Sequence, residues 1–262
     1  MNTKRRILSI VPMAMAGLTV AAATPMVQAA EFEEAELFFE LNDTDGDLGI
    51  HASIDGGPYR KLKIEDPKER TILFLKAKGR LARQGLTQLF WESAEPPFDE
   101  LPPEKFFRRF PEGKYEIEAR TLEGEEIEAE VMLSHVLAAP VGNVTVNGLP
   151  AAEDCDADLP SVSDPVIIDW DPVTTSHPEI GKKGKKVTIA RYQFFVEQGD
   201  VKLAVDLPPS VTQFRVPSSI TKLGGEFKFE IIARTTTSNN TAIESCYTVP
   251  EKRGSRVKST QG

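Results

Sequence analysis

Histidine and cysteine are scarce in this sequence, which holds three and two of them among its 262 residues. His51, His135 and His177 are far apart, and none stands in a spacing typical of a metal site. The sequence also lacks the Gly-x-Ser-x-Gly pattern of a nucleophile elbow and any glycine-rich phosphate loop. We therefore predict that the protein is not an enzyme, with no catalytic residue and no bound cofactor.

Basic residues are fewer than acidic ones, 31 against 40, and the formal net charge is −9 at pH 7. This balance argues against nucleic acid, and against an acidic membrane surface, as the main partner. No long apolar run follows Glu31, so the mature chain is not expected to span a membrane. The many glutamates of the alternating segments, such as Glu116 and Glu118, are interpreted as the solvated face of a sheet.

The first thirty residues have the organisation of an export signal. A basic start at 4–6 precedes an apolar stretch at 7–23, and Val27 and Ala29 place small residues where signal peptidase requires them. We predict that residues 1–29 are a cleaved signal peptide, with cleavage after Ala30 as the second choice. The protein is then secreted or periplasmic. The alternative is an uncleaved N-terminal membrane anchor.

Alternation of apolar and polar residues dominates the chain from Glu34 onward, which is typical of antiparallel strands with one buried face. The clearest predicted hairpin pairs 115–120 with 127–131, and Asp55-Gly56-Gly57-Pro58 is a turn signal. One helix is predicted at 102–109, because its phenylalanines have helical spacing. The fold class expected is therefore all-β, with one short helix.

The length suits two domains of about 100–120 residues. We predict two tandem β-sandwiches, at 30–137 and 138–250, because an alternating strand stops at Ala138-Ala139-Pro140. Residues 251–262 are basic and polar and are expected to be a disordered tail. A faint internal repeat supports related designs for the two halves, since Glu116-Ile117-Glu118-Ala119-Arg120-Thr121 matches Glu230-Ile231-Ile232-Ala233-Arg234-Thr235.

Residues 138–250 resemble a fibronectin type III domain. Asp169-Trp170-Asp171-Pro172 is similar to the second-strand tryptophan of that family, and Tyr192 matches the aromatic residue of its third strand. Phe227 replaces the corner tyrosine of the family. The resemblance implies a two-sheet sandwich with Trp170 in its core, near Tyr192 and Phe229. For 30–137 the prediction is an immunoglobulin-like sandwich, in which Tyr115 begins the penultimate strand.

The two cysteines, Cys155 and Cys246, allow a single pairing, and an exported protein can keep a disulfide. In a type III sandwich, the loop after the first strand and the end of the last strand lie at the same pole. The resemblance therefore implies a Cys155–Cys246 bridge. The alternative is that Cys246 points into the core as a free thiol.

Two charged segments are candidate binding sites. Asp43, Asp45 and Asp47 alternate around a glycine and could offer oxygen ligands to calcium, although the EF-hand pattern is not met. The alternative is an acidic β-turn. Lys182-Lys183-Gly184-Lys185-Lys186 could contact an anionic glycan or cell-wall polymer, or could simply be a solvated loop.

The function expected from these observations is recognition, without catalysis, of a protein or polysaccharide partner through loops or a sheet face. Two alternatives stay open at this point. One is an accessory module or an enzyme whose site lies in the N-terminal half. The other is a purely structural spacer.

Overall fold

The computed structural model describes residues 32–251, so the predicted signal peptide and all but the first residue of the predicted tail lie outside it. Within this range nearly all of the regular secondary structure is strand, which confirms the predicted all-β class. The strands are β1 Phe32–Asn42, β2 Asp47–Glu65, β3 Thr71–Lys76, β4 Leu86–Glu92, β5 Gly113–Thr121, β6 Glu126–Leu133, β7 Thr145–Val146, β8 Leu149–Pro150, β9 Val166–Asp169, β10 Ile189–Gln198, β11 Val201–Leu207, β12 Gln213–Val216, β13 Gly225–Thr235 and β14 Asn240–Val249. The helices are α1 Leu81–Gln84, α2 Pro103–Arg109 and α3 Ser218–Thr221.

The C-terminal half is a sandwich of two sheets. One sheet has the order β12-β9-β7-β8, and the other contains β11-β10-β13-β14. This is the strand arrangement that the type III resemblance implies. Trp170 lies between the sheets with 1% of its surface exposed, as expected, and its ring is 5.6 Å from Tyr192 and 6.3 Å from Phe194. Its second aromatic neighbour is therefore Phe194 and not Phe229.

The N-terminal half is organised around β2, whose two ends pair with different strands. Residues before the middle of β2 pair with β1 and β4, and residues after it pair with β3 and β5. The predicted turn at Asp55-Gly56-Gly57-Pro58 was wrong, because the strand continues through it. The β4 pairing shifts register between Asp55 and Tyr59, so the turn residues form an irregular bend inside the strand.

The predicted helix and hairpin of this half are confirmed. The helix α2 buries Phe106 and Phe107 against Phe39, with ring centroids 6.0 and 5.4 Å apart. The strands β5 and β6 pair as the alternation indicates. At the start of β5, the hydroxyl of Tyr115 donates to the carbonyl of Pro111 at 3.0 Å, a tie typical of the corner of immunoglobulin-like sandwiches.

The two halves share one sheet. Residues Glu40–Asn42 of β1 pair in parallel with Asn240–Ala242 of β14, which gives the order β11-β10-β13-β14-β1-β2-β5-β6. The predicted domain boundary falls on Leu137 and Ala138, which are both fully buried. The division into two domains stays a prediction, and the halves meet through a covered junction.

Asn239 is the centre of this junction and is fully buried. Its Oδ1 accepts the backbone N–H of Phe39 at 2.9 Å, and its Nδ2 donates to the carbonyls of Ser134 and Val136 at 2.7 and 3.0 Å. Both N–H donors and the oxygen of the amide have a partner, as buried polar groups generally do. One side chain thus joins β1, the segment after β6 and the turn before β14.

The faint internal repeat corresponds to two hairpins with the same register. In β5–β6, Glu116 lies opposite Glu130, and in β13–β14, Glu230 lies opposite Glu244. The turns also agree, since Gly124 and its counterpart Ser238 both adopt a positive φ, of 91° and 69°. The two hairpins therefore share one design at a spacing of 114 residues.

Candidate functional site

The acidic segment around Asp43 forms the tight turn between β1 and β2. Asn42 organises it, because its Oδ1 accepts the backbone N–H groups of Thr44 and Asp45 at 3.1 and 3.2 Å. Its Nδ2 also donates to Oδ2 of Asp45 at 3.1 Å. These are the local hydrogen bonds that favour asparagine and aspartate in turns.

Asp43 contacts the other half of the chain. Nδ1 of the buried His177 accepts the backbone N–H groups of Glu179 and Ile180 at 3.1 and 2.9 Å. The proton of the neutral ring is therefore on Nε2, which donates to Oδ1 of Asp43 at 2.8 Å. Sequence reasoning missed this hydrogen bond, because the two residues are 134 positions apart.

The three candidate calcium ligands do not converge. In the described part of the chain, the one group of three acidic residues with oxygens within 4.8 Å of one another is Glu65, Glu116 and Glu118. The amine of Lys63 already lies 3.2 Å from Glu65 and 2.9 Å from Glu118. Calcium binding by Asp43, Asp45 and Asp47 stays a prediction.

Cys155 and Cys246 are joined by a disulfide, with their Cα atoms 4.9 Å apart. The bridge ties the loop after β8 to the buried side of β14. In the basic loop, Lys182 forms an ion pair with Glu112 of the N-terminal half, and Lys183, Lys185 and Lys186 are exposed to solvent. Glycan binding by this loop stays a prediction.

A groove crosses the outer face of the shared sheet and is lined by both halves. One cavity, of about 340 Å³, spans β10, β13, β14, β1, β2 and β4. A second, of about 530 Å³, continues it over β11 and shares Phe195 and Glu230 with the first. We call these two cavities the sheet-face groove. Its lining is rich in carboxylates and phenylalanines: Glu34, Glu36, Glu40, Glu92, Glu197, Glu230, Glu244, Phe38, Phe90, Phe195 and Phe229.

The middle of the groove already holds one guanidinium group of the chain. The guanidinium of Arg234 lies 4.6 Å from the ring centroid of Phe38, as in a cation–π contact. It forms an ion pair with Glu36 and donates to Oδ1 of Asn240 at 3.3 Å. Asn240 in turn donates to Glu40 at 2.7 Å. The surface thus holds a cation between a ring and carboxylates.

His51 lies at the β2 end of the groove, where its Nε2 is 2.6 Å from Glu95. Burial alone would lower the pKa of His51, but the hydrogen bond with Glu95 and the charges of Glu40 and Glu92 raise this pKa overall. Nearby, burial together with the charges of Glu95 and Asp45 raises the pKa of Asp47 to about 6. Negative charge is therefore concentrated at this end of the groove.

Glu230 lies where the two cavities meet. Burial, followed by the charges of Glu40 and Glu244, raises the pKa of Glu230 to about 7. Its carboxylate forms no hydrogen bond or ion pair with residues 32–251, and the residue is partly buried. Phe195 and Glu244 lie directly opposite it on the neighbouring strands.

No protein-family model matches the sequence, and no curated protein matches it. Among solved structures, domains FN1–FN3 of chicken CNTN1 match at 7% identity and a TM-score of 0.34, covering 85% of this chain and 68% of that one. A two-domain fibronectin type III segment of chicken tenascin matches at 9% identity and 0.30, covering 83% and 98%. A bacterial ice-binding adhesin matches at 9% and 0.26, covering 86% and 67%. Because these identities and TM-scores are low, the fold is assigned from the strand topology described above.

The groove was not predicted from the sequence, although one signal for it was present. The internal repeat aligns Glu230 with Glu116, and it aligns Lys228 and Glu244 with Lys114 and Glu130. A comparison of these positions would have singled out the lysine and the glutamates.

None of the described helices is long and apolar enough to cross a membrane.

Proposed function

We propose that this protein is an exported, non-enzymatic binding or scaffold protein, secreted or periplasmic, that recognises a protein or polysaccharide partner. The observation that carries the proposal is the sheet-face groove, because strands of both halves line it continuously. Recognition sites are concave, mainly apolar and equipped with a few polar groups, and this groove combines phenylalanines with carboxylates in that way.

The junction supports this proposal, because it fixes the two sides of the groove relative to each other. Asn239 joins three segments, and the hydroxyl of Thr241 donates to the carbonyl of Ala138 at 2.9 Å. Thr44 adds a further link, since its Oγ1 accepts the backbone N–H of Glu244 at 2.9 Å. A rigid site loses less conformational freedom on binding, which favours affinity.

A catalytic role for the N-terminal half has weaker support. Glu65, Glu116 and Glu118 converge there around the amine of Lys63, which already pairs with two of them. His51 and Glu95 form a second group, in which the imidazole is 3% exposed and its Nε2 is already bonded to Glu95. A general base needs to reach a substrate proton. The pair is better explained as a buried contact that holds the segment after β4 against the sheet.

The test is capture of a partner by the mature chain, residues 30–262, from the culture medium or envelope of the source cells. Phe90 and Phe74 are both 59% exposed, but Phe90 lines the first cavity of the groove, whereas Phe74 lies outside the groove on β3. We expect one partner to be retained by wild type and by Phe74→Ser, and to be lost with Phe90→Ser. Digestion of the eluate with protease or glycosidase identifies the class of partner. Equal retention by both variants would show that the groove is not the binding site.

A further inference from the structure

We infer that the sheet-face groove binds an extended basic segment of a partner protein, with one lysine or arginine side chain placed beside Glu230. This inference rests on the proposed function and adds the chemistry of the partner. Four features of the described residues carry it. They are a difference between the two repeated hairpins, the aromatic neighbour of Glu230, the length of the groove and its charge.

The repeated hairpins differ in how their glutamates are neutralised. In β5–β6, the amine of Lys114 bridges both members of the opposed pair, at 3.0 Å from Glu116 and 2.8 Å from Glu130. In β13–β14, the equivalent Lys228 forms an ion pair with Glu244 alone. Two like charges directly opposite each other destabilise a sheet unless a cation lies between them. Among the four glutamates of the two opposed pairs, Glu230 is therefore the one that forms no ion pair with a lysine.

The surroundings of Glu230 suit a cationic side chain. Phe195 lies directly opposite it, so an aromatic ring and a carboxylate meet on the same face of the sheet. The same two kinds of group already hold Arg234 further along the groove, where Phe38 supplies the ring and Glu36 the carboxylate. A partner lysine or arginine beside Glu230 would repeat this contact and neutralise a partly buried charge.

The dimensions favour a polypeptide over a small amine. The groove crosses seven strands, from β11 to β4. Adjacent strands lie about 4.8 Å apart, so the groove is about 29 Å long, which matches about nine extended residues. A small polyamine would cover only part of this length.

The negative charge of the groove argues against an acidic polysaccharide as its ligand. In the first cavity, five carboxylates face two arginines, and Arg234 is already paired with Glu36. The surplus negative charge repels anions and attracts a basic segment, and complementary charge of this kind sets specificity and association rate. A neutral polysaccharide partner would be identified by the glycosidase digestion in the capture experiment above, and that result would overturn the inference.

The test uses the mature chain and a fluorescent nine-residue peptide that alternates lysine and threonine, at pH 8 and low salt, with anisotropy as the readout. The comparison peptides carry glutamine or glutamate in place of lysine, and spermine is the small-amine competitor. Two variants are matched by the internal repeat, Glu230→Gln and Glu116→Gln. Both lose one negative charge from equivalent hairpin positions, so a general charge effect would change both equally.

We expect the lysine peptide to bind, the glutamine and glutamate peptides to fail, and Glu230→Gln to weaken binding at least about tenfold while Glu116→Gln leaves it unchanged. An equal loss in the two variants, displacement of the peptide by spermine at equal concentration, or no binding of the lysine peptide would each overturn the inference. If capture of the natural partner still depends on Phe90 but not on Glu230, the inference fails and the proposed function stands.

Discussion

The unpaired carboxylate of Glu230 should make the stability of the protein fall as the pH rises, and the variant Glu230→Gln should abolish that loss. Glutamine has nearly the same shape as glutamate and cannot ionise. The charged groups that act on Glu230 are Glu40 on β1, Glu244 on β14, Lys228 on its own strand and Asp45 in the acidic turn. Three of the four are negative, so they add to the effect of burial.

The direction follows from the folded and unfolded pKa values of Glu230. The pKa is about 7 in the folded protein, against 4.5 in the unfolded chain. Below about pH 4.5 the Glu230 carboxyl is protonated in both states, so it does not change the free energy of unfolding. Between these values the unfolded state ionises first, and the free energy of unfolding decreases as the pH rises. Above about pH 7 both states are charged and the loss is complete, on the order of 2–3 kcal/mol.

Urea unfolding at pH 4.5 and pH 8, followed by tryptophan fluorescence, measures this effect. We expect Glu230→Gln to be more stable than wild type by about 2–3 kcal/mol at pH 8 and equal to it at pH 4.5. Glu116→Gln is the control, because Lys114 contacts Glu116 and its neutralisation should not stabilise the protein at pH 8. A Glu230→Gln variant no more stable than wild type at pH 8 would refute the description of this carboxylate as partly buried and unpaired.

Three further outcomes are expected. Asn239→Ala leaves one backbone N–H and two carbonyls without their partner and should lower the free energy of unfolding by about 3 kcal/mol or more. The control Gln213→Ala removes an exposed amide and should lower it by less than about 0.5 kcal/mol. Urea unfolding measures both changes. Trp170→Ala removes a large side chain from a packed core and should cost about 3–5 kcal/mol, visible as a lower thermal midpoint. Opening the Cys155–Cys246 bridge, which spans 91 residues, should cost about 4 kcal/mol, and unreduced protein should resist alkylation by iodoacetamide in a mass measurement.

The elements formed by residues close together in the sequence could be predicted from the spacing of apolar and polar residues. The alternation of β5 and β6 predicts their hairpin, because one face of that hairpin is buried and the other is solvated. The spacing of Phe106 and Phe107 predicts α2 for the equivalent reason on a helix. Trp170 could be assigned to the core because the flanking aspartates must point to the opposite face.

The features that depend on distant pairing could not be predicted in this way. The parallel pairing of β1 with β14 joins segments 200 residues apart, and no turn or loop signal marks it. The residues Asp55-Gly56-Gly57-Pro58 predicted a turn because their composition is typical of turns, yet pairing with β4 carries the strand through them. The groove is missed for the same reason, since its two ends come from halves that the sequence presents as separate domains.

The parallel contact between β1 and β14 also determines how the protein resists tension. A pull that enters at Phe32 and leaves at Val249 draws the two strands in opposite directions along their length. The hydrogen bonds between Glu40–Asn42 and Asn240–Ala242 are then sheared together, whereas pulling across the strands would open them one at a time. The same three-residue contact that unites the halves is therefore positioned to act as a mechanical clamp along the axis of the chain.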